Sequence, residues 1–289
     1  MATSQKGTII VTGANRYLGS DITWRAYLES GKWPRLGINE RVSAQTIPRI
    51  RGLVLNAAFI EYETQTWAEE GGFDMAFVSN YLGHWLLTLM LLQSMDLENG
   101  RITMVSSDSH NPDDWLTGVL GTFKHPDDKW RPFIAGENID HLAFGTWSSR
   151  AEGPDPRGGM RRYGAAKFCL VTMVSELQRR LNSDPVLNQV TMVGVDPGMM
   201  PSADGVARRL NWFLYPQYDA KIRTSARSAR DIMRGVMDVS LPKAAYIDGT
   251  TLTETGLEAQ DVKKWEMIWH DSVRYTQLKE DETAPKEWK

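Results

Sequence analysis

The stretch Thr8-Ile9-Ile10-Val11-Thr12-Gly13-Ala14-Asn15-Arg16-Tyr17-Leu18-Gly19 decides how the chain is read. Thr8 to Val11 are all β-branched, which favours a strand. Gly13 and Gly19 bracket a tight turn, and a helical pattern follows as far as Tyr27. A strand, a glycine turn and a helix N-terminus present backbone N–H groups and a helix dipole to an anion, as pyrophosphates are held at the carboxyl edge of an α/β sheet. A strand-to-helix connection with no ligand has the same pattern, so the weight falls on what comes after it.

Working outward, Gly52–Asn56 (GLVLN), Gly100–Ser107 (GRITMVSS) and Gln189–Pro197 (QVTMVGVDP) are short apolar runs that stop at polar or turn residues. They have the look of buried parallel strands. Between them Phe73 to Met95, Tyr163 to Asn182 and Thr224 to Val239 have helical spacing, and Arg41 to Ile47 reads as the tail of the helix before the second run. The alternation predicts an α/β fold, a doubly wound, mostly parallel sheet of Rossmann-like type with helices on both faces. With no internal repeat and no linker, residues 1–289 read as a single domain. Asn111 to Arg161, rich in Gly, Pro, Asp and Trp, reads as a long insertion, of the kind that more often serves as a lid or binding loop than as spare chain. The tail from Asp261 reads as a surface helix and a frayed end.

A hydrophobic share of 42% with 24% charged residues excludes disorder and collagen-like order. Thirty-three basic against 36 acidic residues give a formal charge of −3 with no dense basic run, so no nucleic-acid partner is expected. The one cysteine, Cys169, excludes an intramolecular disulfide and a stapled secreted scaffold. MATSQKG leads straight into the first strand without a signal-peptide pattern. The apolar stretch Trp85 to Leu92 is far shorter than the roughly 20 residues that span a bilayer. A cytoplasmic protein with no membrane span is therefore the expectation. His84, His110, His125, His141 and His270 are dispersed without ligand spacing, so no metal is expected.

The second stretch that carries chemistry is Tyr163-Gly164-Ala165-Ala166-Lys167. The i,i+4 spacing puts phenol and ammonium on one helix face. A cation held there stabilises phenolate and lowers the tyrosine pKa, so that Tyr163 can exchange a proton with a substrate oxygen near neutral pH. In isolation such a pair is commonly a solvated helix face. Here it stands between a strand ending in Ser106-Ser107 and a later Asp196-Pro197-Gly198.

With these residues in order, the sequence resembles the short-chain dehydrogenase/reductase superfamily from about Gly7 to Gly256. The signatures are TGANRYLG at Thr12 to Gly19, LNAA at Leu55 to Ala58, SNYLGH at Ser79 to His84, VSS at Val105 to Ser107, and YGAAK followed by DPG at Asp196 to Gly198. The wording is similar to fungal members described as ketosteroid- or protochlorophyllide-reductase-like. The resemblance implies a tetrad of Asn80, Ser107, Tyr163 and Lys167. Tyr163 is then the general acid in reduction, Lys167 holds the nicotinamide ribose, Ser107 hydrogen-bonds the substrate carbonyl, and Asn80 holds a water of the proton relay to Lys167. It further implies cofactor contacts from Gly13, Asn15, Arg16, Leu18, Gly19, Asn56, Ala57, Lys167, Pro197, Gly198 and Ser202. Family members often pair through the helices that here are Phe73 to Met95 and Tyr163 to Asn182, so a homodimer or homotetramer is the implied assembly.

Two departures accompany the matches. Tyr17 stands where the family's turn has its middle glycine, and a side chain there obstructs close approach of backbone to pyrophosphate. Between Gly13 and Asn56 lie only residues 14–55, whereas two further strands with their helices need on the order of 70 residues. The second and third strands, under the adenosine half of the cofactor, are therefore expected to be missing, leaving the sheet truncated at that edge. The implied function is an NADP(H)-dependent oxidoreductase acting on a carbonyl or secondary alcohol of an apolar small molecule such as a steroid-like or secondary-metabolite intermediate. NADP is placed ahead of NAD by Arg16. A non-redox catalyst using the same pocket and Tyr163, and an inactive homologue with weak cofactor binding, are the alternatives.

Overall fold

In the computed structural model, which describes residues 7–13, 37–153, 155, 157–200 and 223–285, the four apolar runs are strands β1 (Thr8–Val11), β2 (Ile50–Leu55), β3 (Arg101–Val105) and β4 (Thr191–Asp196). They are parallel, and one row of paired positions runs Ile10, Leu53, Ile102, Met192 across them. Every residue of β3 and β4 is buried, so both faces of the sheet are covered. The sheet continues beyond the expected strands. β5 (Tyr246–Asp248) pairs parallel with β4, and β6 (Thr251–Thr253) folds back antiparallel on β5 through Gly249, whose φ is +61°. The order is β1-β2-β3-β4-β5-β6, a mostly parallel Rossmann-type α/β sheet.

Among the described residues the α-helices are α1 (Gly37–Ser43), α2 (Met75–Phe77), α3 (Gly83–Leu91), α4 (Trp115–Leu120), α5 (Asp140–Ala143), α6 (Arg157–Ser183), α7 (Ser225–Met237) and α8 (Val262–Thr276). Because side chains alternate across a strand, neighbouring residues serve different layers. Leu53, Leu55, Ile102 and Met104 pack with α3 and α6, while Val54 and Val105 pack with Val236 of α7 on the opposite face. Helices thus lie on both faces. The Met75–Ser94 segment is long and apolar enough to cross a membrane, but it is 78% buried and forms a core layer. α1 ends at Ser43 rather than Ile47, since Gln45 turns left-handed at φ 56°.

Among the described residues β1 is an edge strand, bonded to β2 on one side. Residues 37–49 hold α1 and a turn and no strand. Tyr17 and the rest of 14–36 lie outside the described residues.

The insertion after β3 is packed rather than open. Phe133 stacks on Phe168 of α6 at 4.8 Å and meets Phe123 edge-on at 5.5 Å, and Trp130 meets Trp147 at 5.4 Å. The Arg161 guanidinium lies 4.2 Å over Trp130 and donates to Ser148 Oγ, Thr122 O and Asp155. Its neighbour Arg162 reaches the buried Asp74 carboxylate at 3.2 Å. The tail is likewise more than a surface helix, for α8 buries Ile268, Trp269, Ser272 and Tyr275.

Candidate active site

The site grows from contacts between the turns that leave the strands. Thr12 Oγ1 accepts from the backbone N–H groups of Asn56 at 2.8 Å and Ala57 at 3.0 Å, and Asn56 Nδ2 donates to Thr12 O at 3.2 Å. Gly13, with φ +74°, lies so close that a Cβ there would stand 2.7 Å from Ala57 Cα. Glycine is required twice over, by conformation and by contact. Gly13, Asn56 and Ala57 are in this way one unit at the carboxyl ends of β1 and β2.

Asn80 sits fully buried in a π-helical turn, Val78–Leu82, between α2 and α3. Such turns inside helices are frequent at functional sites. Its side chain clamps the loop after Ala57: Nδ2 donates to Phe59 O and to Ala76 O at 2.7 Å each, and Oδ1 accepts from Phe59 N at 3.0 Å. The amide is therefore occupied by protein, and what it fixes is the path of the chain leaving β2.

Ser107 caps the 3-10 turn Asp108–His110. Its hydroxyl accepts from Ser109 Oγ at 3.0 Å and donates to Asp108 Oδ1 at 3.2 Å. The His110 ring fixes the backbone behind it. Nε2 accepts from Gly256 N at 3.2 Å, which leaves Nδ1 as the donor to Ser107 O at 2.7 Å. On α6, Tyr163 stands beside the Ser107 side chain, which holds its pKa down against burial. Gly164 allows the approach, since a Cβ there would meet Ser109 O at 2.5 Å.

Lys167, one turn further along α6, is 1% exposed and donates from Nζ to Val105 O at 2.9 Å. Burial lowers its pKa to about 8, with the Asp196 carboxylate pulling the other way. The ammonium is 5.5 Å from the centre of the Tyr163 ring. The phenol itself is pushed above its ordinary value by burial, against the neighbouring Ser107 hydroxyl, with Asp196 and Asp108 adding to the rise. This departs from the expected lowering. The reason is geometric: the lysine donates to a backbone carbonyl, and the phenol is desolvated without the cation's hydrogen bond. His84 lies beside them, its Nε2 3.4 Å from Thr12 Oγ1. Burial and the Lys167 charge lower its pKa to about 3, so the imidazole is neutral.

At the end of β4, Gly198 adopts φ +72° and donates from its N–H to Asp196 Oδ1 at 2.8 Å, while Pro197 O accepts from Ser228 Oγ at 2.8 Å. Gly13, Asn56, Ala57, Asn80, Ser107, Tyr163, Lys167, Pro197 and Gly198 thus all stand at or behind the carboxyl ends of the strands, where open α/β sheets bind ligands. Asn15, Arg16, Leu18, Gly19 and Ser202 lie outside the described residues. A buried ammonium and two positive-φ glycine turns, at Gly13 and Gly198, fit the nicotinamide–ribose half of a dinucleotide. Sequence reasoning left aside His84, His110 and Asp196; the DPG and SNYLGH motifs carried two of them.

No family model matches the chain. A short-chain dehydrogenase, iccH, of Talaromyces variabilis is 35% identical over 369 aligned positions that cover 99% of this chain and 100% of that protein. The chloroplastic protochlorophyllide reductase of Daucus carota is 23% identical, covering 96% of this chain and 79% of its own. Among solved structures, a carbonyl reductase from Pseudomonas aeruginosa PAO1 superposes at a TM-score of 0.44 with 16% identity, over 75% of this chain and 72% of that one. With one relative matched at 35% identity along the whole of both sequences, this chain belongs to the short-chain dehydrogenase/reductase family, oxidoreductases that act on CH–OH and C=O groups.

Proposed function

We propose that the protein reduces the carbonyl of an apolar small molecule, or oxidises the corresponding secondary alcohol, with NADP(H). The observation that carries this reading is Tyr163 beside Ser107, with the buried Lys167 ammonium one helical turn away and 5.5 Å from the tyrosine ring. Bound nicotinamide supplies the hydride. Ser107 hydrogen-bonds the substrate oxygen, Tyr163 gives that oxygen its proton, and Lys167 holds the ribose and restores the proton to Tyr163. A phenol held neutral by burial is competent as an acid, which favours reduction over oxidation. NADP rather than NAD rests on Arg16, where a basic side chain meets a 2′-phosphate. A steroid-like or secondary-metabolite intermediate is the substrate class in keeping with the fungal relative.

One set of observations favours a weaker cofactor site. β1 is an edge strand among the described residues, no strand lies in 37–49, and the alignment with the Talaromyces protein needs 369 positions for a chain of 289 residues. That relative therefore has segments with no counterpart here, which supports loss of the adenosine-side strands. The test is thermal denaturation with NADPH and with NADH, followed by NADPH consumption over a panel of apolar ketones. A rise in Tm with NADPH, and ketone-dependent consumption, are expected. No rise with either nucleotide moves the reading to the non-redox or inactive alternative.

A further inference from the structure

Behind the proposed proton-transfer pair lies a buried carboxylate for which the reading above has no use. Asp196, the last residue of β4, is 4% exposed. Its place is fixed on three sides: Oδ1 accepts from Gly198 N at 2.8 Å, its backbone oxygen accepts from Arg223 NH1 at 2.9 Å and from Gly249 N at 3.0 Å, and the β4–β5 register sets it opposite Asp248. On the other flank Ser106 N donates to Val195 O at 2.7 Å, so Asp196 stands beside Ser106, one residue from the Val105 carbonyl that holds Lys167.

Among the described residues the charges around it come from three elements and one turn. α6 contributes Lys167 and Tyr163, the turn after β3 contributes Asp108 and His110, and β5 contributes Tyr246 and Asp248. Arg223 bonds to Asp248 at 2.5 Å and approaches Asp231 of α7 at 3.9 Å. His84 of α3 faces Lys167 but is neutral. Arg223 therefore has two carboxylates of its own. Val195 packs under Gly235 of α7, so by strand alternation Asp196 faces the α6 side with Met192, the side on which Lys167 reaches the Val105 carbonyl, and its charge acts on that ammonium.

We propose that Asp196 is a positioning residue for proton transfer, the buried counter-charge that keeps Lys167 an ammonium and thereby sets the pH range in which Tyr163 is re-protonated. The proposal rests on the reading of Tyr163 and Lys167 given above. Burial pushes Lys167 down to about 8 even with this carboxylate present. Without the charge the ammonium gives up its proton at still lower pH, and the alkaline limb of reduction moves down with it. The carboxylate also raises the Tyr163 pKa, so it favours the proton-loaded form at both groups.

Asp196→Asn retains an oxygen for Gly198 N and removes the charge. Lysine labelled with 13C at Cε, with the Lys167 signal identified by its loss in Lys167→Arg, reads the titration without turnover. A midpoint near 8 in the native protein is expected, falling by roughly one pH unit in Asp196→Asn, with the alkaline limb of NADPH-dependent reduction shifted to match. An unchanged Lys167 midpoint in a folded Asp196→Asn overturns the proposal. Should that variant not fold, the Asp196 carboxyl carbon of the native protein must show a step in its chemical shift at the pH where Lys167 titrates, and its absence overturns the proposal equally. Coupled titration without any NADPH-dependent turnover upholds the coupling of the two charges and instead removes the redox reading on which its catalytic meaning rests.

Discussion

Gly164 lies against the turn that carries the serine, and a Cβ on it would stand 2.5 Å from the carbonyl oxygen of Ser109. That contact, more than the i,i+4 spacing, brings Tyr163 to Ser107. Gly164→Ala is expected to push α6 off the turn and to destabilise the fold by about 1–3 kcal/mol. A displacement of even 1 Å costs on the order of 10²-fold in rate, so turnover should fall much further than stability alone requires. Chemical denaturation and steady-state rates check both halves.

Tyr163→Phe keeps the ring and removes the proton donor. Turnover should drop by roughly 10²–10⁴-fold, with nucleotide affinity nearly unchanged, because the lost interaction belongs to the transition state. Titration calorimetry alongside single-turnover rates separates the two quantities. A variant with near-native turnover would remove Tyr163 from its role.

Lys167→Met sets function against stability. The folded pKa of about 8 lies below the ordinary 10.5, so at pH 7 the buried ammonium costs about 3 kcal/mol. The cost is fully present below pH 8 and fades as pH rises from 8 towards 10.5. Methionine removes it, so the variant should melt higher than the native protein at pH 7 and lose that advantage above pH 10, while turnover is abolished. Melting curves across this range provide the check.

His84 gives an acid limit. Its pKa is lowered from 6.5 to about 3 in the fold, so between these values the unfolded chain binds the extra proton and stability is lost as pH falls. The slope is about 1.4 kcal/mol per pH unit at full separation. Denaturation midpoints measured from pH 7 down to pH 4 should decline, and His84→Gln should flatten the decline.

The four strands β1 to β4 were legible because each is an apolar run ended by a turn residue, and a run of that kind has few alternatives in an α/β chain. β5 and β6 were not, for three residues such as Tyr246-Ile247-Asp248 are too short to show a period. The tetrad was legible as spacing on one helix and as strand ends. Its electrostatics were not, because desolvation of Tyr163, the Val105 carbonyl under Lys167 and the Asp196 charge are products of tertiary packing. The burial of Arg161 and Arg162 has no local sequence signal. Both are nearly buried, and Ser148 binds each of them, through its Oγ and its carbonyl oxygen; nothing local signals a partner more than ten residues away.

The packed face of the tail helix bears on assembly. Trp269 of α8 meets Trp85 of α3 edge-on at 5.2 Å, Ser272 Oγ bonds to the Tyr81 hydroxyl at 2.7 Å, and the Arg180 guanidinium of α6 lies 4.5 Å over the Trp269 ring. α8 thus covers part of the two helices that the resemblance implies as a pairing face. A second subunit reaches that face only if α8 leaves it, and removing a tryptophan as buried as Trp269 from such a site costs about 3–5 kcal/mol. Trp269→Ala should therefore be destabilised by that amount and, with Trp85 uncovered, should associate increasingly as concentration rises. The native protein should show no association through this face, so that hydrogen exchange over residues 83–91 and 163–182 is insensitive to dilution. Light scattering on both proteins, with the exchange measurement, decides the matter. A native dimer whose protection maps to those two helices would show that α8 does not take the partner's place.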